Sequence, residues 1–539
     1  MTITHSVHRY ERTCERFRLD FIRSWRIGKI SISYNIFYFN LRGNYILSSI
    51  VYVFETKYVN HRCKIVGCDV ESTEYLPVWW ANAIPTDDGK PSKCLKFQRF
   101  NESNTQSCET SSFNQDKTES CEEFIYETKE LSILQDYNLQ CDENVWKLTI
   151  VGTIRFVAIG IGMPIFGMLS DRFGRKTVLI YGLTLTGLIG IGRSFANSYG
   201  LFLALVCLDA ICRSGSYPTV WILGLELVQP KKRVLVSFLI SVSYASAGIL
   251  QGSIAWIFQS WRVLLQITYA TNLIMVFYYW LIPESVTWLL AKKKFKEVKI
   301  ILKTLSKVNG RTIPENILED LDNLEIDKKE IKTNTTSELL RSKILMARLA
   351  NSAICWICCL FLYNGLTINS VELSQNSYLD YILTMAAEIP GCIAYIVTDY
   401  VGRRVPLAGG CLLSGLSCIC LIFVPTDLYW ATICIYMLAK FGITVSNSVI
   451  YTITTELYPT PFRNAFLTIC SMIGGIGAMA APQMPLAETL WKPLPMVMFG
   501  VCGILAAFLA LLFPETMNTK LPNTIEEAEN IGKTTTCNT

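Results

Sequence analysis

The sequence predicts an all-α membrane protein of two similar six-helix halves, with a large cysteine-rich loop after the first membrane helix. Three observations predict this fold class. Charged residues make up 17% of the 539 residues and the mean hydropathy is +0.32, whereas soluble globular chains carry about 25% charged residues. Apolar stretches close to the 20 residues or so that cross a bilayer recur along the chain. Three short motifs also occur twice, at nearly one spacing.

The elements follow in chain order. Residues 1–30 form a basic segment without the apolar core of a secretory signal, so we expect them in the cytosol. A first span at 31–54 is weak, because it contains Arg42 and three asparagines. A polar segment at 55–145 comes next. Eleven stronger spans follow, at about 146–168, 177–196, 200–225, 234–258, 263–282, 345–367, 377–398, 405–424, 428–451, 464–484 and 494–513.

Basic loops set the orientation, because short loops with Lys or Arg stay in the cytoplasm. Such loops follow alternate spans, which places 55–145 outside the cell and the polar tract 284–344 inside. Apolar residues at helical spacing predict amphipathic surface helices in that tract. The expected organisation is a first bundle completed by spans in 146–283, the cytosolic linker, a second bundle at 345–513 and a cytosolic tail at 514–539.

The outer segment contains an even number of cysteines, which predicts a disulfide framework in an oxidising compartment. Fifteen pairings of six cysteines are open at this point. Asn101 begins an acceptor sequon on the same side and is expected to be glycosylated, whereas the sequon at Asn334 faces the cytosol and should stay unmodified. The six cysteines are Cys63, Cys68, Cys94, Cys108, Cys121 and Cys141.

An internal repeat joins the two halves. GMLSDRFGRK at 167–176 is echoed by TDYVGRR at 398–404, the Glu226 to Arg233 segment by Glu456 to Arg463, and the PES triplet at 283 by the PET triplet at 514. The spacings between the paired motifs are 228, 230 and 231 residues. Two parallel repeats are typical of carriers whose substrate site lies between the halves.

These motifs resemble the major facilitator superfamily and, within it, solute carrier family 22, the carriers of organic cations, carnitine-like zwitterions and organic anions. The segments EIPGCIAYIVTDYVGRR (388–404) and FPETMNTKLPNTIEEAEN (513–530) resemble it too, whereas Thr287 replaces an arginine of the family pattern. The resemblance implies gating roles at the cytosolic helix ends, with the glycines allowing close backbone approach. The residues concerned are Gly167, Asp171, Arg172, Gly174, Arg175, Glu226, Arg233, Asp399, Arg403, Arg404, Glu456 and Arg463.

Ionisable residues deep inside the spans are costly in lipid and therefore mark candidate functional positions. Asp209 and Arg213 are four residues apart, so mutual neutralisation is the alternative to a role in substrate binding. Glu388 is the strongest candidate counter-charge for a cation. The alternative is that it pairs permanently with Lys440 or Arg155 and holds the second bundle together. The candidates are Arg155, Asp209, Arg213, Glu388 and Lys440.

Aromatic side chains are the second kind of candidate, because ring faces attract organic cations. The resemblance implies that four rings line the cavity, although each could equally pack against lipid or a neighbouring helix. Gly475 stands where related carriers have a charged residue, so the sign of the cargo's charge is open. The four rings are Tyr217, Trp221, Trp356 and Tyr363.

Together these features predict a multi-pass carrier of the plasma membrane that moves small organic ions by alternating access without ATP, with cations or zwitterions favoured over anions. The alternatives are an organic anion carrier, a sugar facilitator of the same fold, and a membrane receptor or scaffold that does not transport. The three histidines lie outside the spans, and no nucleophile, phosphate-loop or metal-ligand spacing occurs, so we expect no enzyme activity, cofactor, metal or nucleic-acid partner. The expected partners are the lipid bilayer and the substrate, and the oligomeric state is open.

Overall fold

The long apolar stretches form helices, because a helix satisfies its backbone polar groups internally where lipid offers no partners. The computed structural model describes residues 43–69, 74–87, 89–100, 108–216, 219–220, 223, 233–309, 341–373, 376–425, 428–459, 462–517, 519, 521–522 and 524–532. Among these residues, nine helices are long and apolar enough to cross a membrane. The predicted fold class is confirmed.

In the first half the helices are α1 (43–55, with a turn at Val51), α2 (Val145–Phe173), α3 (Arg175–Arg193), α4 (Tyr199–Arg213), α5 (Arg233–Phe258) and α6 (Trp261–Leu281). In the second half they are α7 (Lys343–Asn369), α8 (Ser377–Val401), α9 (Arg404–Leu421), α10 (Tyr429–Leu457), α11 (Arg463–Ala480) and α12 (Leu494–Leu511). The weak first span is thus helical over 43–55, and the remainder of it lies outside the described residues.

Three disulfides staple the segment between α1 and α2, where little apolar core is available. Its small core contains Cys63, Ile84 and Phe113. The prediction of a disulfide-rich loop is confirmed, whereas Asn101 and Asn334 lie outside the described residues. The pairs are Cys63–Cys121, Cys68–Cys108 and Cys94–Cys141, with Cα separations of 5.4, 5.9 and 5.6 Å. Antiparallel strand pairs are His61–Cys63 with Phe124–Tyr126, Thr86–Asp87 with Lys90–Pro91, and Leu95–Arg99 with Phe113–Ser120.

This disulfide domain is fastened to the first half. Asp136 Oδ2 accepts hydrogen bonds from Trp261 Nε1 at 2.9 Å and from Arg262 Nε at 2.8 Å. Tyr137 donates to the carbonyl of Ala196 at 3.0 Å. Lys57 lies 4.5 Å from the ring centre of Tyr378 in the second half. The outer ends of α3 and α6 therefore form the base of the domain.

Two helices follow α6 on the cytosolic side, Val286–Ala291 and Phe295–Asn309. They pack on each other through Trp288 and Leu289 from the first and Phe295, Val298 and Leu302 from the second. This burial agrees with the amphipathic spacing, while residues 310–340 of the linker lie outside the described part.

The two halves meet on the side of the disulfide domain. Gln483 Nε2 donates to Thr153 Oγ1 at 2.6 Å, and Thr153 Oγ1 donates to the carbonyl of Met479 at 3.1 Å. A Cβ added at Gly152 would lie 2.6 Å from Pro482 Cβ, so α2 and α11 are in close contact there. These contacts close the outer end of the passage between the halves.

Candidate functional site

A cavity of about 230 Å³ lies between the halves, below the outer contacts. Pockets for drug-sized ligands measure roughly 300–1,000 Å³, so this cavity suits a small molecule. The first half contributes α1, α2 and α5 to its wall, and the second half contributes α7, α8, α10 and α11. The lining residues that bear on its chemistry are Tyr52, Arg155, Tyr244, Tyr363, Glu388 and Tyr451.

Glu388 forms a buried ion pair at the cavity wall. Its Oε1 lies 2.8 Å from Lys440 Nζ, and its Oε2 accepts a hydrogen bond from the Tyr363 hydroxyl at 2.9 Å. Lys440 also donates to Thr367 Oγ1 at 2.7 Å and stands 3.8 Å from the centre of the Tyr363 ring. Both charges are thus compensated inside the second half, the arrangement that buried charges require.

The local sequence explains where Glu388 lies. The helix α8 is interrupted between Ala386 and Ala394, and the short turn Glu388–Gly391 occupies the break. Pro390 has no N–H to offer the preceding turn, so an unbroken helix is not favoured there. A Cβ at Gly391 would lie 2.9 Å from Thr444 Cβ, and this close approach brings Glu388 next to Lys440 on α10.

Arg155 presents a guanidinium group on the opposite wall. Its Nη2 donates to Ser49 Oγ at 2.9 Å, and its Cζ lies 4.3 Å from the centre of the Tyr52 ring and 5.3 Å from that of Phe156. The side chain is buried in the protein but lines the cavity. Ring faces and the hydroxyls of Ser49 and Tyr52 hold this charge, with no carboxylate within ion-pair distance among the residues that the structure describes.

Behind α1, the first half contains a larger charged network. Arg193 Nη2 lies 2.7 Å from Glu55 Oε1, and Arg193 Nη1 lies 3.5 Å from Asp209 Oδ2. Asp209 Oδ2 also accepts from Tyr269 at 2.9 Å and lies 3.7 Å from Arg213 Nη2. Sequence reasoning identified the Asp209 and Arg213 pair, but it missed Glu55 and Arg193. Both lie at the ends of spans, where an ionisable residue attracts no notice.

Two expected cavity residues lie elsewhere. Arg213 is fully buried and donates to the carbonyl of Ser48, so α1 separates it from the cavity. Trp356 is also fully buried, and its Nε1 donates to Thr454 Oγ1 at 2.9 Å. Its ring is covered by Tyr451, whose centre is 4.5 Å away and which itself lines the cavity.

Tyr363 is at the expected place, and Gly475 lines the cavity with open space where a side chain would be. Tyr217 and Trp221 lie outside the described residues. Sequence reasoning missed Tyr52, Tyr244 and Tyr451. Their positions in the spans were visible, but no charge or motif distinguished them from rings that face lipid.

At the cytosolic end of the first half, Glu284 of the PES triplet caps α3. Its Oε1 accepts from the backbone N–H of Lys176 at 2.9 Å, where the helix N-terminus favours a negative charge. Gly174 has φ +104°, and any Cβ there would overlap the Glu284 carboxylate. Trp288 Nε1 donates to the carbonyl of Asp171 at 3.0 Å, and Arg175 Nη1 donates to Thr287 Oγ1 at 3.4 Å.

The second half repeats this device with more contacts. Glu515 of the PET triplet accepts from the backbone N–H groups of Arg403 at 2.9 Å and Arg404 at 3.1 Å, and Gly402 has φ +94°. Burial alone would raise the pKa of Glu515. Backbone N–H bonds outweigh burial and hold that pKa below its usual range. Arg403 also pairs with Asp399 at 3.0 Å and with Glu456 at 3.2 Å.

Several gating candidates have simpler surroundings. Gly167 has nothing within contact distance of an added Cβ, so the expectation of close backbone approach is not met there. Arg172 is exposed and lies 5.5 Å from the Phe173 ring centre. Arg233 begins α5 and Arg463 begins α11. Glu226 and the side chain of Arg233 lie outside the described residues. Sequence reasoning did not single out Glu284 or Glu515, although both lie in the repeated PES and PET triplets. Their matching positions in the repeat were the signal that could have indicated a shared capping role.

Comparison with known proteins identifies the family. Residues 131–482 match the model of the Major Facilitator Superfamily. Solute carrier family 22 member 2 of Homo sapiens is 30% identical over 88% of this chain and 88% of its own length. The Organic cation transporter protein of Drosophila melanogaster is 30% identical over 76% of each chain, and the human Organic cation/carnitine transporter 2 is 27% identical over 87% of this chain and 86% of its own.

A solved structure supports the fold. The inward-open conformation of the xylose transporter XylE from E. coli aligns with a TM-score of 0.61 at 14% identity, covering 93% of this chain and 99% of that one. A likeness at this identity concerns the fold alone, whereas the family match and the curated relatives identify a multi-pass transporter of the plasma membrane and exclude an enzyme. The chain therefore belongs to the major facilitator superfamily and, within it, to solute carrier family 22.

Proposed function

We propose that this transporter carries small organic ions, either cations or carnitine-like zwitterions, by alternating access. The observation that carries the proposal is the central cavity, in which ionisable groups and tyrosine rings from both halves face one small space. Its volume of about 230 Å³ suits small cargo. Relatives named as organic cation and organic cation/carnitine transporters support the substrate class.

The rings give the cavity a means of holding an alkylammonium group. Tyr363 and Tyr244 have ring centres 6.2 Å apart, and Tyr451 lines the same space. A ring face attracts a cation by about 0.5–2 kcal/mol, more when water is excluded. Glu388 adds negative potential near these rings, although Lys440 balances most of it at 2.8 Å.

The capped helix ends hold each half together during the movement. Glu284 and Glu515 tie each half's cytosolic corner to the helix that follows the Gly-Arg turn, so each half can rotate as one body. With the outer end closed by α2 and α11, the cavity is expected to exchange cargo with the cytosol in this conformation and with the exterior after the halves rock.

Radiotracer uptake into cells that express the full chain tests the proposal. The panel is a quaternary ammonium cation, a trimethylammonium carboxylate and an organic anion, each measured at two membrane potentials against untransfected cells. One elementary charge gains about 2.3 kcal/mol per 100 mV, so cation uptake should rise at negative potential while zwitterion uptake should not. Absence of uptake for all three classes, with the protein at the surface, would contradict the proposal and favour a receptor or scaffold.

A second candidate is an organic anion carrier. Arg155 favours it, because this guanidinium lines the cavity. Preferred uptake of the organic anion over both other probes would select this candidate.

A further inference from the structure

The buried charges of the first half do not balance. Three guanidinium groups, those of Arg155, Arg193 and Arg213, share two carboxylates, Glu55 and Asp209. Arginine stays protonated in proteins, so this half has one surplus positive charge among the described buried groups. In the second half, the acid at the cavity wall, Glu388, already pairs with Lys440, and the buried Asp380 accepts a hydrogen bond from Tyr429 and does not line the cavity.

The surplus can be assigned to one residue. Arg193 pairs with Glu55 at 2.7 Å, and Arg213 pairs with Asp209 at 3.7 Å. Arg155 has no carboxylate partner within the described residues and is held by the Ser49 and Tyr52 hydroxyls and by two ring faces. It is also the one guanidinium of the three that lines the cavity.

We propose that Arg155 is the binding residue for an anionic group of the cargo, and that the preferred cargo is a small zwitterion whose carboxylate meets Arg155. This inference rests on the proposed transport function and narrows its substrate class. A carboxylate would complete the charge balance of the first half with up to two charge-assisted hydrogen bonds. A cargo that is only cationic would instead bring like charge into the same small space, which is unfavourable.

The other end of such a cargo meets different chemistry. Across the cavity, Tyr451 of α10 and Tyr244 of α5 present their rings, and Tyr244 lies against Tyr363, which already has Lys440 3.8 Å from its ring centre. The Glu388 carboxylate adjoins the Tyr363 hydroxyl at 2.9 Å. The two poles of a zwitterion therefore bridge the halves, with the carboxylate on α2 and the ammonium group among these rings.

Three matched probes separate the contributions of the two charges. They are 4-(trimethylammonio)butanoate, its methyl ester, which lacks the carboxylate, and 5,5-dimethylhexanoate, which lacks the ammonium charge but keeps its shape. Uptake per surface molecule is measured for the wild-type chain and for Arg155→Gln and Arg155→Lys. The ratio of zwitterion to ester uptake is the readout, because a change in folding or turnover alters both probes together.

We expect the wild-type chain to prefer the zwitterion over both analogues. Arg155→Gln should lower the zwitterion-to-ester ratio about tenfold, and Arg155→Lys should restore part of it, because lysine keeps the charge without the planar fork. Lys64→Gln, at an exposed position of the disulfide domain away from the cavity, serves as the control, and its ratio should stay near the wild-type value.

Two outcomes would overturn the assignment. If the wild-type chain takes up the ester but not the zwitterion, the transport function stands and the anion site does not. If Arg155→Gln alters both probes by the same factor, Arg155 has only a packing role between α1 and α2. Absence of uptake for all three probes would contradict the proposed function itself, and the inference with it.

Discussion

At its cytosolic end, each half places a glutamate carboxylate on the first turn of a helix, with Glu284 on the N–H of Lys176 and Glu515 on that of Arg403. Away from this end the likeness ends. Among the described residues, the first half joins four buried charged groups, Glu55, Arg193, Asp209 and Arg213, whereas the second places one ion pair, Glu388 with Lys440, at the cavity. The internal repeat is therefore close at the cytosolic ends of the two halves and is lost in the residues around the cavity.

The largest effect is expected in the first-half network. Arg193→Gln leaves Glu55 buried without its partner, which costs about 3–5 kcal/mol for a buried pair. We expect little of this variant at the cell surface and a large drop in the thermal unfolding midpoint of detergent-solubilised protein. Lys64→Gln, which breaks an exposed ion pair with Glu123, is the matched control and should change neither. Wild-type stability of Arg193→Gln would show that the network is not structural.

The next effect tests the ion pair at the cavity wall of the second half, Glu388 with Lys440. Glu388→Gln should lower surface expression, because Lys440 then remains charged in a buried site at a cost of about 3 kcal/mol. Adding Lys440→Met should restore expression, since both charges are then removed. If Glu388→Gln expresses normally and loses cation uptake alone, the carboxylate acts on the cargo and its pairing with Lys440 is secondary.

The two caps should differ in strength. Glu515 accepts from the backbone of Arg403, Arg404, Thr516 and Met517, whereas Glu284 accepts from Lys176 and Ser285. Glu515→Gln should therefore destabilise by about 1–2 kcal/mol and Glu284→Gln by about half of that. Thermal unfolding measures both, and equal effects would contradict the comparison.

The pH dependence of this difference has a definite sign. The pKa of Glu515 is lowered in the folded protein, so its stabilising contribution is complete above the ordinary carboxyl range and is lost as pH falls through the lowered value. The stability difference between wild type and Glu515→Gln should accordingly stay constant from pH 7 to about pH 5 and shrink only in stronger acid.

The smallest effect on stability is expected at Asp171 and Asp399, for which the family resemblance implies a gating role. Asp171 contacts Trp288 through its carbonyl, and Asp399 is 46% exposed in its pair with Arg403. Asp171→Asn and Asp399→Asn should each change stability by less than about 0.5 kcal/mol. Asp171→Asn should nevertheless slow uptake per surface molecule. Normal uptake by that variant would leave its motif with a role in topology alone.

The fold was predictable because lipid makes the pattern of apolar spans explicit, and the repeat located the paired cytosolic corners around Gly174 and Gly402. Disulfide pairing was not predictable, since six cysteines allow fifteen connectivities and only the folded loop selects one. Glu388 and Lys440 were identified because charge within a span is rare. Lys440 was one of two candidate partners for Glu388, and the packing of α8 against α10 selects it over Arg155.

The misses have a common physical cause. Trp356 and Tyr363 are seven residues apart and share a helix face, but Trp356 lies two turns nearer the cytosol and Tyr451 covers it. Helical periodicity predicts which residues share a face of a helix. It does not predict where along that face a side chain from a neighbouring helix covers them. Glu55 was overlooked because it follows the weak first span and the sequence around it gives no sign of burial. It is buried against α3, which contains its partner Arg193.

The seat of the disulfide domain has a mechanical consequence. Trp261 and Arg262 at the end of α6 donate hydrogen bonds to Asp136, and Tyr137 donates one to the carbonyl of Ala196. Because of these bonds, we expect the domain to move with the first half when the halves rock. The domain lies beyond the membrane face, away from the axis about which the halves rotate. A small rotation of the first half therefore produces a larger displacement at the tip of the domain. A fluorophore pair between the disulfide domain and the outer end of α12 should therefore show a larger distance change in each transport cycle than any pair within the bundles. We expect the contact of Lys57 with the Tyr378 ring to break and re-form in every transport cycle.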